Sequence, residues 1–201
     1  MDLWQYEREA LLEGYTLVCG CDEAGAGPLA GPVYAAAVIL PLGVDIPGLN
    51  DSKKLTEKKR EELFPTIKRI ASAWSVAFVD AAEIDATDIL SARMKAMQLA
   101  MDGLPQSPEF ALIDGNRDHG KTAAITVPHR CVVKGDSLSA SIAAASILAK
   151  VSRDHFMLEM AEQYPEYRFD KHKGYGTKLH YEMLRTYGPS PIHRRTFLKN
   201  L

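Results

Sequence analysis

Asp22 and Glu23 stand side by side in CGCDEAGAGPLAGP, the stretch from Cys19 to Pro32, where an apolar run ends and a glycine-rich one begins. Adjacent carboxylates in such a place suit metal binding, because hard divalent cations take oxygen ligands and neutralise acids that would otherwise repel one another. Two more acids occupy similar positions, since FALID (110–114) ends in Asp114 and RCVVKGD (130–136) ends in Asp136. Any one of them could serve only as a turn or a helix cap, and Asp136 or Ser137 could cap the helix that follows. Four acids at strand ends have a joint meaning, because the carboxyl ends of neighbouring strands in an α/β sheet form a common rim where ligands bind. An all-oxygen cage there suits Mg²⁺ or Mn²⁺ and not zinc. Beside it, Gly25 and Gly27 allow positive φ and let backbone N–H groups approach a ligand, although a tight hairpin turn would need glycine too.

The elements that must position these residues are legible as periodic runs. Residues 3–13 have helical spacing, 16–21 read as a buried strand, and 33–40 follow so closely that the two strands should pair as an antiparallel hairpin. Thr56 is placed to cap a helix that Pro65 should bend or interrupt, and 74–80 alternates as a third strand. A helix over 87–103 carries the apolar stripe Leu90, Met94, Met97 and Met101, which reads as core. Strands at 110–114 and 130–136 and a long helix over 139–163 complete the set, with Asp154 far along that helix as a surface or supporting residue. The succession predicts an α/β fold, a mixed five-stranded sheet covered by helices, with residues 1–165 as the catalytic domain and 166–201 as a basic helical C-terminal extension.

Composition narrows the partners. The chain has 201 residues, 46% of them hydrophobic, enough for one well-buried core. No run reaches the roughly 18 apolar residues of a membrane span, and the acidic start lacks a signal-peptide core, so a cytoplasmic protein is expected. Three cysteines, two of them at Cys19 and Cys21 on one face of a strand, argue for reduced thiols. Residues 168–201 hold eight Lys/Arg against two Asp/Glu, about +6, so the rest of the chain is about −8 for the total of −2. A basic segment beside an acidic body suits a nucleic-acid groove next to a metal site, and equally a solvated basic tail.

DEAGAGPLAGPV, NDSKKL, LIDGN, VVKGD, AAASILAKVSRD and HKGYGT, in this order, resemble the motifs of the bacterial ribonuclease HII family over nearly the whole chain, from Val18 to about Phe197. The resemblance implies a ribonuclease H-like fold and cleavage of RNA in RNA–DNA hybrids, including a single ribonucleotide embedded in duplex DNA, with 5′-phosphate and 3′-hydroxyl products. It carries the family's four metal-binding acids onto Asp22, Glu23, Asp114 and Asp136, the same four that the strand ends pick out. One departure concerns the junction-sensing loop, where the family's Gly-Arg-Gly is here Gly25-Ala26-Gly27. The two glycines are kept, and a guanidinium that could touch a phosphate is gone. Tyr175 corresponds to the tyrosine that packs on the sugar just beyond the RNA–DNA junction.

The expected chemistry is two-metal phosphodiester hydrolysis. Asp22 is expected to bridge both ions, Glu23 and Asp114 to complete one coordination sphere and Asp136 the other. Lys53, Lys54, Lys171, Lys173, Arg194 and Arg195 are candidate phosphate contacts, and His172 could orient a phosphate or cap a turn. The chain is expected to act as a monomer on RNA–DNA hybrid or ribonucleotide-containing duplex. A different ribonuclease H-like nuclease, cutting plain DNA, and a non-catalytic junction-binding module are the alternatives.

Overall fold

The computed structural model describes residues 2–198. Helix α1 (Gln5–Leu12) leads into β1 (Val18–Ala24) and β2 (Val33–Ile39), then α2 (Glu57–Ile70) and β3 (Ala73–Val79). Two helices follow, α3 (Ala81–Ala86) and α4 (Ile89–Asp102), where one was expected, because Asp80 and Asp88 each cap a separate start. Then come β4 (Phe110–Asp114), β5 (His129–Val132), α5 (Ala140–Gln163), α6 (Phe169–His172) and α7 (Lys178–Tyr187). Thr56 caps α2 as expected, and Pro65 lies inside that helix, which runs on to Ile70. The cap of α5 is Ser139, whose hydroxyl accepts from the Ile142 N–H, and not Asp136 or Ser137. Among the described residues no helix is long and apolar enough to cross a membrane.

The five strands form one mixed sheet in the order β3-β2-β1-β4-β5. β1 pairs antiparallel with β2, which pairs antiparallel with β3, while β1, β4 and β5 run parallel. Side chains alternate between faces along each strand. Cys19, Cys21, Ala35 and Ala37 therefore meet Met94, Met97 and Met101 of α4, and Ala36 and Val38 meet α5 and the Leu63 and Ile67 side of α2. The expected methionine stripe is thus core.

Helix α5 lies almost against the backbone of β1. A Cβ on Gly20 would stand 2.2 Å from the Ser141 carbonyl carbon, so only glycine allows the approach. The alanine-rich side of α5 makes the same contact possible along the sheet. At the other end, Met157 and Met160 of α5 pack with Leu29, Tyr167, Phe169 and Leu184. Residues after 165 are thereby seated on the loop between β1 and β2, with Ala30 bridged to His193.

Candidate metal centre and nucleic-acid interface

Because β1 and β4 are parallel and Cys21 is in register with Ile113, the next residues, Asp22 and Asp114, sit at the same rim. Both fall on the face covered by α5, the parity shared with Gly20 and Leu112. Asp136 is brought in differently from what strand periodicity predicts. β5 stops at Val132, Lys134 turns the chain with φ +58°, and Asp136 sits on a 3₁₀ turn (Gly135–Ser137) that feeds α5. Its N–H donates to Asp114 Oδ1 at 3.2 Å. One carboxylate oxygen from each of Asp22, Asp114 and Asp136 lies within 4.8 Å of the other two.

Glu23 is not one of this trio. As the neighbour of Asp22 in a strand it points to the opposite face, towards α4, where Arg93 Nη2 meets its Oε1 at 2.6 Å. Glu23 Oε2 and Arg93 Nε are buried without a hydrogen-bond partner. Sequence reading grouped the four acids because they share a rim, although strand alternation already separates two of them by face.

The electrostatics favour a cation. Burial, and then the charges of Glu23 and Asp114, push the Asp22 carboxyl well above its ordinary range. Burial is also the first cause of the upward shifts of Asp136, with Asp114 and Asp51 adding to it, and of Glu23, which Arg93 partly offsets. Lys53 is drawn up, because the pull of Asp22, Asp136, Asp114 and Asp51 outweighs its own desolvation. Its ammonium is 3.6 Å from Asp136 Oδ2 while its side chain is three-quarters exposed. An all-oxygen, mutually repelling donor set, buried at Asp22 and Asp136 and half-buried at Asp114, fits a hard divalent ion such as Mg²⁺ or Mn²⁺.

Around the trio the other expected contacts sort into two groups. Lys53, Lys54 and Lys134 line an open cleft of about 330 Å³ together with Asp114 and Asp136. Lys171 and Arg195 are exposed. Lys173 turns its ammonium onto the Asp170 carbonyl at 2.7 Å. Arg194 is a correction: it is fully buried and its guanidinium donates to the carbonyls of Gly31, Ala26 and Gly25 at 2.9, 2.9 and 2.6 Å, leaving it no reach to a phosphate. His172 is buried and bonded to the Tyr167 carbonyl and the Gly174 N–H, which makes it a turn residue. Asp154, one of the two options left open for it decided, is buried and paired with Lys150 at 2.7 Å.

Gly25 and Gly27 differ in what they do. Gly25 is buried with φ +94°, and a Cβ there would meet the Arg153 side chain at 2.1 Å. Gly27 is exposed, and nothing lies within 4 Å of where its Cβ would be. Tyr175, 42% exposed, presents its ring over Arg153 and Lys150, each 5.7 Å from the centroid. The loop and the tyrosine turn are bonded directly, Leu29 N–H to the Gly174 carbonyl at 2.8 Å. Arg153, His180 and His193 were not singled out from sequence: two of the Arg153 acceptors lie more than 120 positions away, and the histidines, although their partners are within 13 positions, are held by backbone groups and another ring that composition does not mark.

The ribonuclease HII family model matches residues 19–200. Ribonuclease HII of Desulfitobacterium hafniense (strain DSM 10664 / DCB-2) is 53% identical over 195 residues, 97% of this chain and 74% of that protein. Ribonuclease HII of Idiomarina loihiensis is 55% identical over 181 residues, 90% of this chain and 95% of its own. Among solved structures, ribonuclease H2 from Pyrococcus horikoshii OT3 superposes with a TM-score of 0.73 at 27% identity, covering 90% of this chain and 93% of that one. The mixed sheet is therefore a ribonuclease H-like fold with ribonuclease H activity, and the chain belongs to the ribonuclease HII family.

Proposed function

We propose that the protein hydrolyses the RNA strand of RNA–DNA hybrids and cuts on the 5′ side of single ribonucleotides embedded in duplex DNA, leaving 5′-phosphate and 3′-hydroxyl ends. The observation that carries the reading is the convergence of Asp22, Asp114 and Asp136 at the end of the strand that runs into the glycine loop, a loop bonded in turn to the segment that bears the exposed Tyr175. Those three aspartates would hold two divalent ions, Mg²⁺ or Mn²⁺, with Glu23 joining once it leaves Arg93. Such ions, when bound, lower the pKa of a water and stabilise the departing 3′-oxygen.

The rest belongs to this chain's own residues. Lys53, at the mouth of the acid cluster, meets the approaching phosphate as an ammonium whose proton the surrounding aspartates hold more firmly. Gly27 leaves space for a ribose to reach the backbone between Gly25 and Gly27, and Ala26 adds no bulk there. The Tyr175 ring offers an apolar face to the sugar beyond the junction and a hydroxyl within reach of its edge. Residues 1–165 supply the chemistry, while 166–201 supply the tyrosine and part of the basic face, Lys171 and Arg195 included. Affinity drawn from such contacts falls with salt.

The test is a duplex carrying one ribonucleotide, incubated with Mg²⁺ and separately with Mn²⁺, beside an all-DNA duplex. A cut 5′ of the ribonucleotide with the stated ends, and an intact all-DNA control, are expected. Cleavage of the all-DNA duplex would assign a general nuclease, and tight binding without turnover would assign a junction-binding module.

A further inference from the structure

Arg153 and Arg194 are both fully buried, and among the described residues neither has a carboxylate within ion-pair distance. A buried charge without a counterion is costly, and three well-aimed acceptors for each guanidinium are what offset it here. Every acceptor is a backbone carbonyl. Arg153 donates to Pro32, Ala30 and Lys173 at 3.1, 3.0 and 3.0 Å, and Arg194 to Gly31, Ala26 and Gly25. One guanidinium therefore pinches the glycine loop shut at its two ends, and the other ties that loop to the turn that carries Tyr175.

The two sites are further interlocked. Gly25 is the residue whose missing Cβ makes room for the Arg153 side chain, and the Tyr175 ring lies over the Arg153 guanidinium. Tyr175 is also fixed from behind. The Ser190 N–H donates to His193 Nδ1 at 2.9 Å, so His193 donates through Nε2 to His180 Nε2 at 2.9 Å, and His180 Nδ1–H then donates to the Tyr175 carbonyl at 3.0 Å. A loop that only needed stability could be filled with apolar side chains at lower cost. What apolar packing cannot do is hold six carbonyls from two segments in one fixed arrangement.

We infer that Arg153 and Arg194 are positioning residues for substrate selection, setting the Gly25-Ala26-Gly27 edge and the Tyr175 ring at the separation that reads a ribose and the deoxyribose after it as one unit. This rests on the function proposed above. Lysine at either position keeps the charge and loses the planar fork, so it cannot serve three carbonyls in these directions.

The experiment compares kcat/KM on a duplex with one embedded ribonucleotide against kcat/KM on a long RNA–DNA hybrid, for the unaltered chain, Arg153→Lys and Arg194→Lys, each with a thermal melt. The expected result is a fall of about 10- to 100-fold in that ratio, the scale of a misplacement near 1 Å, with long-hybrid cleavage nearly unchanged in folded protein. Where a lysine variant melts below the assay temperature, the ratio is read on the matching alanine variant supplied with methylguanidinium, which returns the donors without the tether and should restore part of the preference. Folded variants with an unchanged ratio overturn the inference, and so does failure of every variant to fold, which would assign both arginines to stability alone. Failure of the unaltered chain to cut at a ribonucleotide would instead sink the proposed function.

Discussion

Glu23 gives its carboxylate to Arg93 and not to the three aspartates, with Arg93 Nη2 2.6 Å from Glu23 Oε1 across the face opposite Asp22. The pair compensates a fourth negative charge at the rim that the aspartates share. Arg93→Leu removes that compensation and leaves a mostly buried carboxylate beside Asp22 and Asp114. The expected cost without metal is about 1–3 kcal/mol, at or below the cost of breaking a buried pair because the Arg93 side chain is 28% exposed. Mn²⁺ should then raise the melting temperature more in the variant than in the unaltered chain, since the ion replaces the missing guanidinium. Equal Mn²⁺ shifts in the two proteins would contradict this role for Arg93.

The strands and helices that carry the acids were legible because they are periodic. Asp22 and Asp114 follow from two parallel strands ending in acids, a pattern visible in TLVCGCDE and FALID. Asp136 reaches the cluster through a left-handed residue at Lys134 and a 3₁₀ turn, which strand periodicity does not reveal. Arg194 was misassigned as a phosphate contact because an arginine in a basic tail reads as surface. Its burial depends on Gly25, Ala26 and Gly31, more than 160 positions away, and a carbonyl acceptor leaves no mark in composition. Carbonyl acceptors hid Arg153 in the same way, and the histidine chain, though its members lie within 18 positions of one another, is set by the fold of the turns that carry them.

Asp114→Asn is the sharpest probe of the acid cluster. Asparagine keeps an oxygen that can accept the Asp136 N–H, now 3.2 Å from Asp114 Oδ1, so the turn should survive. It removes one negative charge from a site where burial and like charges already push Asp22 upward. The protein without metal should therefore melt no lower than the unaltered chain, while cleavage in Mg²⁺ or Mn²⁺ falls by at least about 10²–10³-fold, the scale for losing one preorganised electrostatic group. Binding to hybrid should persist in a gel-shift assay. Retained turnover in Mn²⁺ would remove Asp114 from the machinery.

Tyr175→Ala should separate selection from stability. The ring is 42% exposed and lies over the Arg153 guanidinium, so its removal loses only part of a side chain's buried area. If the ring packs on the sugar beyond the junction, its removal should cost about 1–3 kcal/mol on the embedded ribonucleotide, the range for an aromatic stacking contact, and less on a long hybrid. Tyr175→Phe should recover most of the packing and isolate the hydroxyl. Equal losses on every substrate would refute the assignment.

The histidine chain behind Tyr175 predicts acid sensitivity of a definite sign. Burial holds His180 and His193 down to about 4 from their ordinary 6.5, with each further lowered by a neighbouring histidine. Groups depressed in the folded state bind fewer protons there than in the unfolded chain, so their contribution is complete above pH 6.5 and is lost as the pH falls towards 4. Protonation also breaks the chain itself, since His193 Nδ1 must accept from Ser190 and His180 Nε2 must accept from His193. The raised carboxyls of Asp22, Glu23 and Asp136 act oppositely, stabilising the metal-free fold at low pH and losing that contribution as the pH rises. The useful quantity is therefore a difference between proteins. His180→Asn can still donate to the Tyr175 carbonyl and does not titrate. Denaturant unfolding at several values from pH 7, above the ordinary 6.5, down to pH 4.5, still above the folded value of about 4, should show the unaltered chain losing stability faster than the variant. Parallel curves would mean that His180 titrates alike in the folded and unfolded chain, and its place in the buried relay would then have no part in acid unfolding.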